Sequence, residues 1–543
     1  MMPPNSMNVL INTKHPRSPD MNKWYLKAAH APDFAKPGDY ILYRLFEILP
    51  GFLMWLTLIG TFVASWLAPI GASIFIIAFD VYWLLKTVFL SLHLRSSFRQ
   101  MRENLKTDWR AKLGAIQNYP AELKLKNWRE VMHLVIIPFY KEPYEVIRGS
   151  LTAIAKSNYP NENIWIVLAC EERAGESAKI DAAKAKAEFG EKFGAFLITS
   201  HPADLPGETS GKGSNESWAA REAVRELVLT KNIPHEHVLV SSFDVDTAVY
   251  PEYFGILAYH YLTVKNPLQA SYQPIPVYNN NIWDAPAFSR VVATSGTFWQ
   301  MMQQARPERL ATFSSHSIPL KPLVEMDYWH TNMVSEDSRI FWQALIYFDG
   351  DYRVVPLHYP VSMDANLAES WWQTAKNVYK QQRRWIWGVE NIPYLLFGFT
   401  KNKNIPLRKK LYFGFNQLEG FWSVGTNALM IFLLGWLPII IGGGVFGVSV
   451  LAYNLPRITR WLMTFAMIGV ITSTIYSLKL LPPRPAHRQV RFYFWMAVQW
   501  ILIPFTLIGF GSIPGIDAIT RLALGRYMGF WVTPKTRLAK NAQ

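Results

Sequence analysis

Apolar residues are unevenly spread along the chain, and their spacing separates membrane-like from water-like stretches. Residues 48–67 form an uncharged run of 20 residues, which as a helix reaches ~30 Å, the thickness of a bilayer core. Pro69-Ile70-Gly71 breaks it, and residues 70–92 predict a second span that carries Asp80 and Lys86. Those two groups either line a path through the membrane or are absorbed locally, Lys86 by snorkelling and Asp80 by pairing with a neighbouring helix. From Arg95 to about Leu407 charge density rises, and short β-branched runs alternate with helical stretches. Residues 133–138, 164–169 and 238–243 predict buried strands, with helices over about 144–157 and 178–189 following the first two. The βαβαβ alternation predicts an α/β, Rossmann-like domain whose mostly parallel sheet is covered on both faces. Ligands of such sheets bind outside the carboxyl ends of the strands, where Pro138, Cys170 and Asp244 fall.

Beyond Arg408-Lys409-Lys410, no charge appears over residues 420–456. That run is too long for one span, so it predicts either one span plus a re-entrant piece or two tight spans. Residues 461–480 and 492–510 are further candidates. Arg521, Arg526, Lys535, Arg537 and Lys540 make the tail basic, which assigns it to the cytoplasm and requires an even number of spans after the soluble domain. Six spans in total result, with five as the alternative. The expected order is a cytoplasmic, proline-containing arm (1–47), two transmembrane helices (48–94) and a cytosolic domain (95–407). An interfacial segment with three to four transmembrane helices (408–511) and a basic amphipathic cytoplasmic tail (512–543) complete it. The location implied is the cell membrane, with the soluble domain in the cytoplasm.

Composition agrees with a bilayer as partner. Half of the 543 residues are hydrophobic and 17% are charged, against roughly 25% in an ordinary soluble chain. The net charge of +15 suits anionic lipid, nucleic acid or a phosphorylated substrate. No zinc-finger spacing, recognition signature or long basic block supports nucleic acid, which is excluded as a partner. The single cysteine, Cys170, excludes an intrachain disulfide and any multi-cysteine metal site.

Several short runs carry candidate chemistry. If residues 381–385 are helical, Gln381, Arg384 and Trp385 share one face, offering an amide, a cation and an aromatic plate. Asp244 and Asp246, one residue apart at a strand end, both reach one cation if the strand continues. Mg²⁺ or Mn²⁺ suits such carboxylates together with substrate phosphates. Glu336-Asp337 opens a helix, so the two acids either complement its dipole or aim Asp337 at an acceptor hydroxyl as a general base. Gly211-Lys212-Gly213 fails the spacing of a phosphate loop, yet it opens a helix and leaves Lys212 for a phosphate or ribose contact. The loop with Tyr140 and Glu142 after the first strand, and Glu171 with Glu172 and Arg173 after the second, are positioned to frame a base or ribose. No nucleophile-elbow serine or zinc-helix histidine pattern is present.

Taken in order, these motifs resemble the membrane-embedded glycosyltransferases of family 2, the group of cellulose, chitin and hyaluronan synthases. The resemblance covers about residues 131–387. It implies a GT-A fold and a nucleotide-sugar donor, by the family's usage a UDP-sugar, with a divalent cation at Asp244 and Asp246. It further implies Asp337 as the base of an inverting transfer. Tyr140, Glu142, Glu171, Lys212, Asp244, Gln381 and Arg384 then face the nucleotide sugar, and Trp385 and Glu336 face the acceptor. Two features depart from the family. Cys170-Glu171-Glu172-Arg173 stands where an aspartate-rich turn is common, and the C-terminal membrane part is compact for a polymer-translocating synthase. The function the resemblance implies is extension of a polysaccharide. Alternatives are transfer of one sugar to a lipid acceptor, such as a polyprenyl phosphate or a sphingolipid, and a transporter with an inactive glycosyltransferase-like domain.

Overall fold

The computed structural model of the chain describes residues 21–535 apart from residue 487. Arg537, Lys540 and the first 20 residues of the arm lie outside the described residues. Strands β1 (Met132–Pro138), β2 (Ile164–Glu171), β3 (Ala195–His201), β4 (Val238–Ser242), β5 (Ala248–Val249), β6 (Ala270–Tyr278), β7 (Ser317–Pro319) and β8 (Arg353–Met363) form one sheet. Their order is β3-β2-β1-β4-β7-β6-β8-β5.

The first half, β3-β2-β1-β4, is wholly parallel. Leu134, Val135, Ile136 and Ile137 of β1 are all fully buried, because hydrophobic clusters cover both faces of the central strands. A continuous apolar run is what such a strand requires, and full burial of each of these side chains contributes ~1.5–3 kcal/mol. The second half is mixed: β6 and β8 pair in parallel, so the mostly parallel expectation holds, and the two short strands add antiparallel neighbours. β7 runs antiparallel to β4 and β6, and β5 antiparallel to β8. β7 is three residues and β5 two, too short to carry a readable pattern.

Four helices are long and apolar enough to cross a membrane: Pro37–Leu67, Pro69–Asn104, Val450–Lys479 and the run Phe492–Ala523. A fifth candidate is Leu407–Phe432 with Leu434–Ile441, bent by 50°. The six-span expectation is corrected to at most five among the described residues. The uncharged 420–456 run is spent on this bent pair, the short helix Gly443–Gly447 and the start of Val450–Lys479. The break falls at Leu433, with Gly435 and Pro438 in the segments that follow it.

Lys86 does not snorkel. It pairs with Glu419 of the bent helix and lies over the Trp83 ring at 4.4 Å. Asp80 is buried against Thr459 of Val450–Lys479. Both groups bind helices together.

The Phe492–Ala523 run touches the sheet domain along its length. Phe492 meets Trp283 at 6.0 Å, Gln499 accepts from Arg290 at 2.6 Å, Phe510 stacks on Phe288 at 5.4 Å, and Asp517 accepts from Arg383 at 2.7 Å. Arg44 then ties the Leu522 carbonyl at 3.0 Å to the helix Pro37–Leu67, and Tyr527 donates to Glu47 at 3.0 Å. Part of the described arm is packed as well. Tyr25, Leu26 and Phe34 are buried, and Phe34 meets Phe397 at 4.6 Å.

Candidate active site

The site lies at the carboxyl ends of β1, β2 and β4, as the parallel half of the sheet dictates. β4 stops at Ser242, and the chain turns at once, with Thr247 N donating to the Asp244 carbonyl at 2.9 Å. Asp244 and Asp246 therefore sit in a tight turn, and strand alternation does not set their directions.

Lys212 begins the helix Lys212–Ala223 and is 9% exposed. Its ammonium lies 2.8 Å from Asp244 Oδ1, 2.7 Å from Asp337 Oδ1 and 3.5 Å from Glu216 Oε1. Burial opposes this charge, but the three carboxylates outweigh it and hold the amine well above its ordinary value. Asp244 is pushed up by burial and down more strongly by Lys212 and Lys535, so its pKa is lowered. Glu216 sits one helical turn beyond Lys212 and accepts from Ser242 Oγ at 2.5 Å. Burial raises its carboxyl to about 8, against the opposing charge of Lys212. Glu336 is raised by burial and then by Asp337. Glu216, Glu336 and Asp337 offer oxygens within 4.8 Å of one another, with Lys212 the cation among them.

Asp337 is the second residue of the helix Glu336–Tyr347. Lys212 fixes its Oδ1, and no hydrogen bond engages its Oδ2 among the described residues. His316 Nδ1 lies 3.8 Å from Asp337 Oδ1. Burial lowers the imidazole pKa, and the ring donates from Nδ1 to the Phe313 carbonyl and accepts at Nε2 from Trp329.

Asp246 is fully buried. Its Oδ2 accepts from the Asp364 amide at 2.8 Å and from Lys535 at 2.6 Å, while its Oδ1 has no hydrogen-bond partner. Glu142 lies in the field of this pair and accepts from the Tyr140 amide at 2.7 Å. Arg173 stacks over the Tyr140 ring at 4.6 Å and pairs with Glu171. Tyr140, Glu171 and Arg173 thus form one cluster at the ends of β1 and β2, with Glu142 between it and the acids.

Residues 381–385 are helical, within Trp371–Ile386. Gln381 is buried and Trp385 is 37% exposed. Arg384 lies 4.9 Å over the Phe530 ring. Tyr278, the last residue of β6, joins the pieces. Its ring lies 5.7 Å from that of Trp385. Burial raises its phenol, followed by the charges of Asp244 and Asp246, with Arg384 opposing and Asp337 adding.

Sequence reasoning missed Glu216, Tyr278, His316 and the tail. Glu216 was findable four residues after Lys212. Phe530 and Lys535 enter the site from the run Phe530-Trp531-Val532-Thr533-Pro534-Lys535, where only the charge of Lys535 was counted. A Cβ at Gly211 would sit 2.6 Å from Phe530 Cγ, so only glycine admits the tail there.

No family model matches the chain, and no curated protein matches it. Among solved structures it is similar to the mannosyltransferase PcManGT from Pyrobaculum calidifontis in complex with GDP-Man and Mn²⁺. That match has 13% identity over 74% of this chain and 99% of that one, with a TM-score of 0.41. It is also similar to residues 1–349 of S. aureus TarS in complex with UDP-GlcNAc, at 11% identity over 64% of this chain and 90% of that one, with a TM-score of 0.29.

Proposed function

We propose that the protein is a membrane-embedded, GT-A-type glycosyltransferase of family 2 that moves a sugar with inversion from a nucleotide sugar, in our reading a UDP-sugar, onto a growing polysaccharide. The observation that carries this is the convergence of three sequence-distant motifs. Lys212 ties Asp244 to Asp337, and Tyr278 lies in the field of both and of Arg384 while its ring meets Trp385.

Asp244 and Asp246 fit Mg²⁺ or Mn²⁺, since their oxygens are hard donors and Asp246 Oδ1 is buried without a partner. Asp244 and Asp246 would hold the cation, which when bound would supply positive charge beside a departing diphosphate. The protein's own residues supply the rest. Lys212 orients Asp337 through Oδ1, and Oδ2 takes the proton of the acceptor hydroxyl. The acceptor oxygen bonds to the donor's anomeric carbon as that carbon's bond to the diphosphate breaks, and attack from the opposite face inverts it. Arg384 meets the leaving diphosphate, whose charge is greatest at and after the transition state. Tyr140 and Arg173 frame the nucleoside, and Trp385 carries the acceptor ring.

On this reading Phe492–Ala523 lies along the cytoplasmic membrane surface. The other two long helices, the bent pair and Pro37–Leu67 cross, which leaves the domain, the arm and the tail on one side. The small membrane part after the domain favours a second reading of the acceptor, in which one sugar is passed to a lipid-linked molecule.

The test is release of nucleoside diphosphate by the purified full-length protein from a panel of nucleotide sugars, with and without Mg²⁺ or Mn²⁺. Cation-dependent release from one donor is expected. Silence toward every donor would overturn the proposal and return the transporter reading.

A further inference from the structure

Where the sheet domain meets the membrane helices, two arginines are left with donors to spare. Glu419, on Leu407–Phe432, accepts at Oε1 from Lys86, from Tyr82 at 3.1 Å and from Ser423 at 2.9 Å, and Lys86 meets its charge. Arg309 comes only within 3.8 Å of the other oxygen, too far for a hydrogen bond. No hydrogen bond engages the Arg309 guanidinium among the described residues. Arg306 lies across a tight turn from it, with Arg309 N donating to the Arg306 carbonyl at 2.9 Å. The Arg306 guanidinium sits 5.2 Å over the Phe89 ring and pairs with Glu308 at 3.3 Å. Arg306 and Arg309 have side chains only 19% and 20% exposed, whereas that of Glu308 is 55% exposed, so water screens the carboxylate that remains to them. Burial, and then the Arg306 charge, pull the Arg309 guanidinium below its ordinary value.

Asn416 adds an unspent donor. Tyr412, Asn416 and Glu419 stand at i, i+4 and i+7 on one helix face, and Tyr412 and Glu419 both lie in the field of Arg309. Asn416 Nδ2 is buried with no hydrogen-bond partner, a costly state for an amide. Around this polar centre, Leu85, Phe89 and Leu92 of one helix and Leu411 and Phe415 of the other are exposed. Guanidinium forks and amide N–H groups match phosphate oxygens, and basic pockets between membrane helices attract anionic headgroups. A free phosphate would fill the centre and leave the apolar rim bare. A lipid covers both.

We propose that Arg306, Arg309 and Asn416 bind the phosphate headgroup of an anionic membrane phospholipid, whose acyl chains lie against Phe89 and Phe415. The site rests on the reading above that Pro69–Asn104 and the bent pair cross the bilayer, and not on sugar transfer. Arg306 and Arg309 come from the loop between the helix Ala287–Gln304 and β7, and Asn416 from a membrane helix. The bound lipid therefore clamps the sheet domain onto the membrane part.

The test titrates the full-length protein in detergent micelles with dioleoylphosphatidylglycerol or dioleoylphosphatidylcholine, and native mass spectrometry counts the lipids bound. The two share acyl chains and differ in headgroup charge. The first phosphatidylglycerol is expected to bind about tenfold more tightly, the worth of one charge-assisted hydrogen bond. Arg309→Gln should bring its affinity down to that of phosphatidylcholine, and Asn416→Ala should remove a smaller part. Arg99→Gln, at an arginine 81% exposed on the same membrane helix as Phe89, should change nothing. Asn416→Ala deletes an unpaired buried group, so its melting temperature should hold or rise, which keeps the site testable if Arg309→Gln folds poorly. Equal affinity for the two lipids would overturn the site. So would a loss in Arg99→Gln as large as in Arg309→Gln, since the attraction would then be diffuse surface charge. Displacement of the lipid by millimolar inorganic phosphate would overturn the lipid as occupant. Each of these results leaves the transferase reading standing, because diphosphate release is measured separately. A chain that fails to float with phosphatidylcholine vesicles would remove the crossing helices, and the site with them.

Discussion

Lys535 Nζ lies 2.6 Å from Oδ2 of Asp246, across 289 residues of sequence. Burial pushes the Asp246 carboxyl up, and Lys535 is the main charge opposing it. Removing one partner of a buried pair typically costs ~3–5 kcal/mol. Lys535→Ala should therefore melt well below wild type without divalent metal, and Mn²⁺ should restore much of the loss by replacing the missing charge. Mn²⁺ should also bind the variant more tightly, since lysine no longer competes for Asp246. Melting curves and an EPR titration of Mn²⁺ check this, and wild-type melting in metal-free Lys535→Ala would refute it.

Glu216 gives the fold a pH dependence of unusual sign. Its carboxyl rises from an ordinary 4.5 to about 8 on folding, so between those values the folded chain holds a proton that the unfolded chain has released. Stability from this group is full below 4.5 and is lost as pH rises to about 8. Glu216→Gln, neutral throughout, should flatten that decline and melt above wild type at pH 8. Melting temperatures over pH 5–9 decide it, and parallel profiles would count against the assignment.

Arg384 and Trp385 are adjacent yet should fail differently. A charge-assisted hydrogen bond is worth ~1.5–3 kcal/mol, so Arg384→Ala should weaken nucleoside diphosphate binding ~10- to 150-fold and lower turnover with it. Trp385→Ala should leave diphosphate affinity near wild type and raise the acceptor KM. Calorimetry with UDP alongside transfer kinetics separates them. Equal loss of diphosphate affinity in both variants would contradict the division of roles.

What was legible in the sequence follows from how far each signal reaches. β1, β2 and β4 were readable because strands buried on both faces need unbroken apolar runs. The helix holding Gln381, Arg384 and Trp385 was readable because its periodicity is local. β7 and β5 were not, because three and two residues carry no period. Asp244, Asp337 and Arg384 stand in recognisable short runs, but their convergence depends on Tyr278, a lone aromatic at a strand end. Lys535 was counted as one charge of a basic tail, since nothing local to it indicates Asp246. The span count went astray because the uncharged 420–456 run, long enough for two spans by length alone, is divided between one bent pair, a short helix and the start of Val450–Lys479.

Whether Phe492–Ala523 crosses the membrane or lies along the domain is testable. Residues on either side of Phe492–Ala523 approach the domain: Arg488 donates to Asp284 at 2.9 Å, and Lys535 reaches Asp246. Single cysteines at Arg484 and Gly529, in a Cys170→Ser background, should react with an impermeant maleimide from the same side of sealed vesicles as the soluble domain. Labelling from opposite sides would make the run a true span.

The central claim is that Asp337 is the base of a sugar transfer and not merely an acid at a helix start. Asp337→Asn keeps the side chain's size and its contact with Lys212 but cannot take the acceptor proton. The decisive measurement is the rate of sugar transfer by Asp337→Asn with its donor affinity measured in parallel. The account predicts a fall of ~10²–10⁴-fold in transfer with donor affinity within a few-fold of wild type. Near-normal transfer in Asp337→Asn would contradict it.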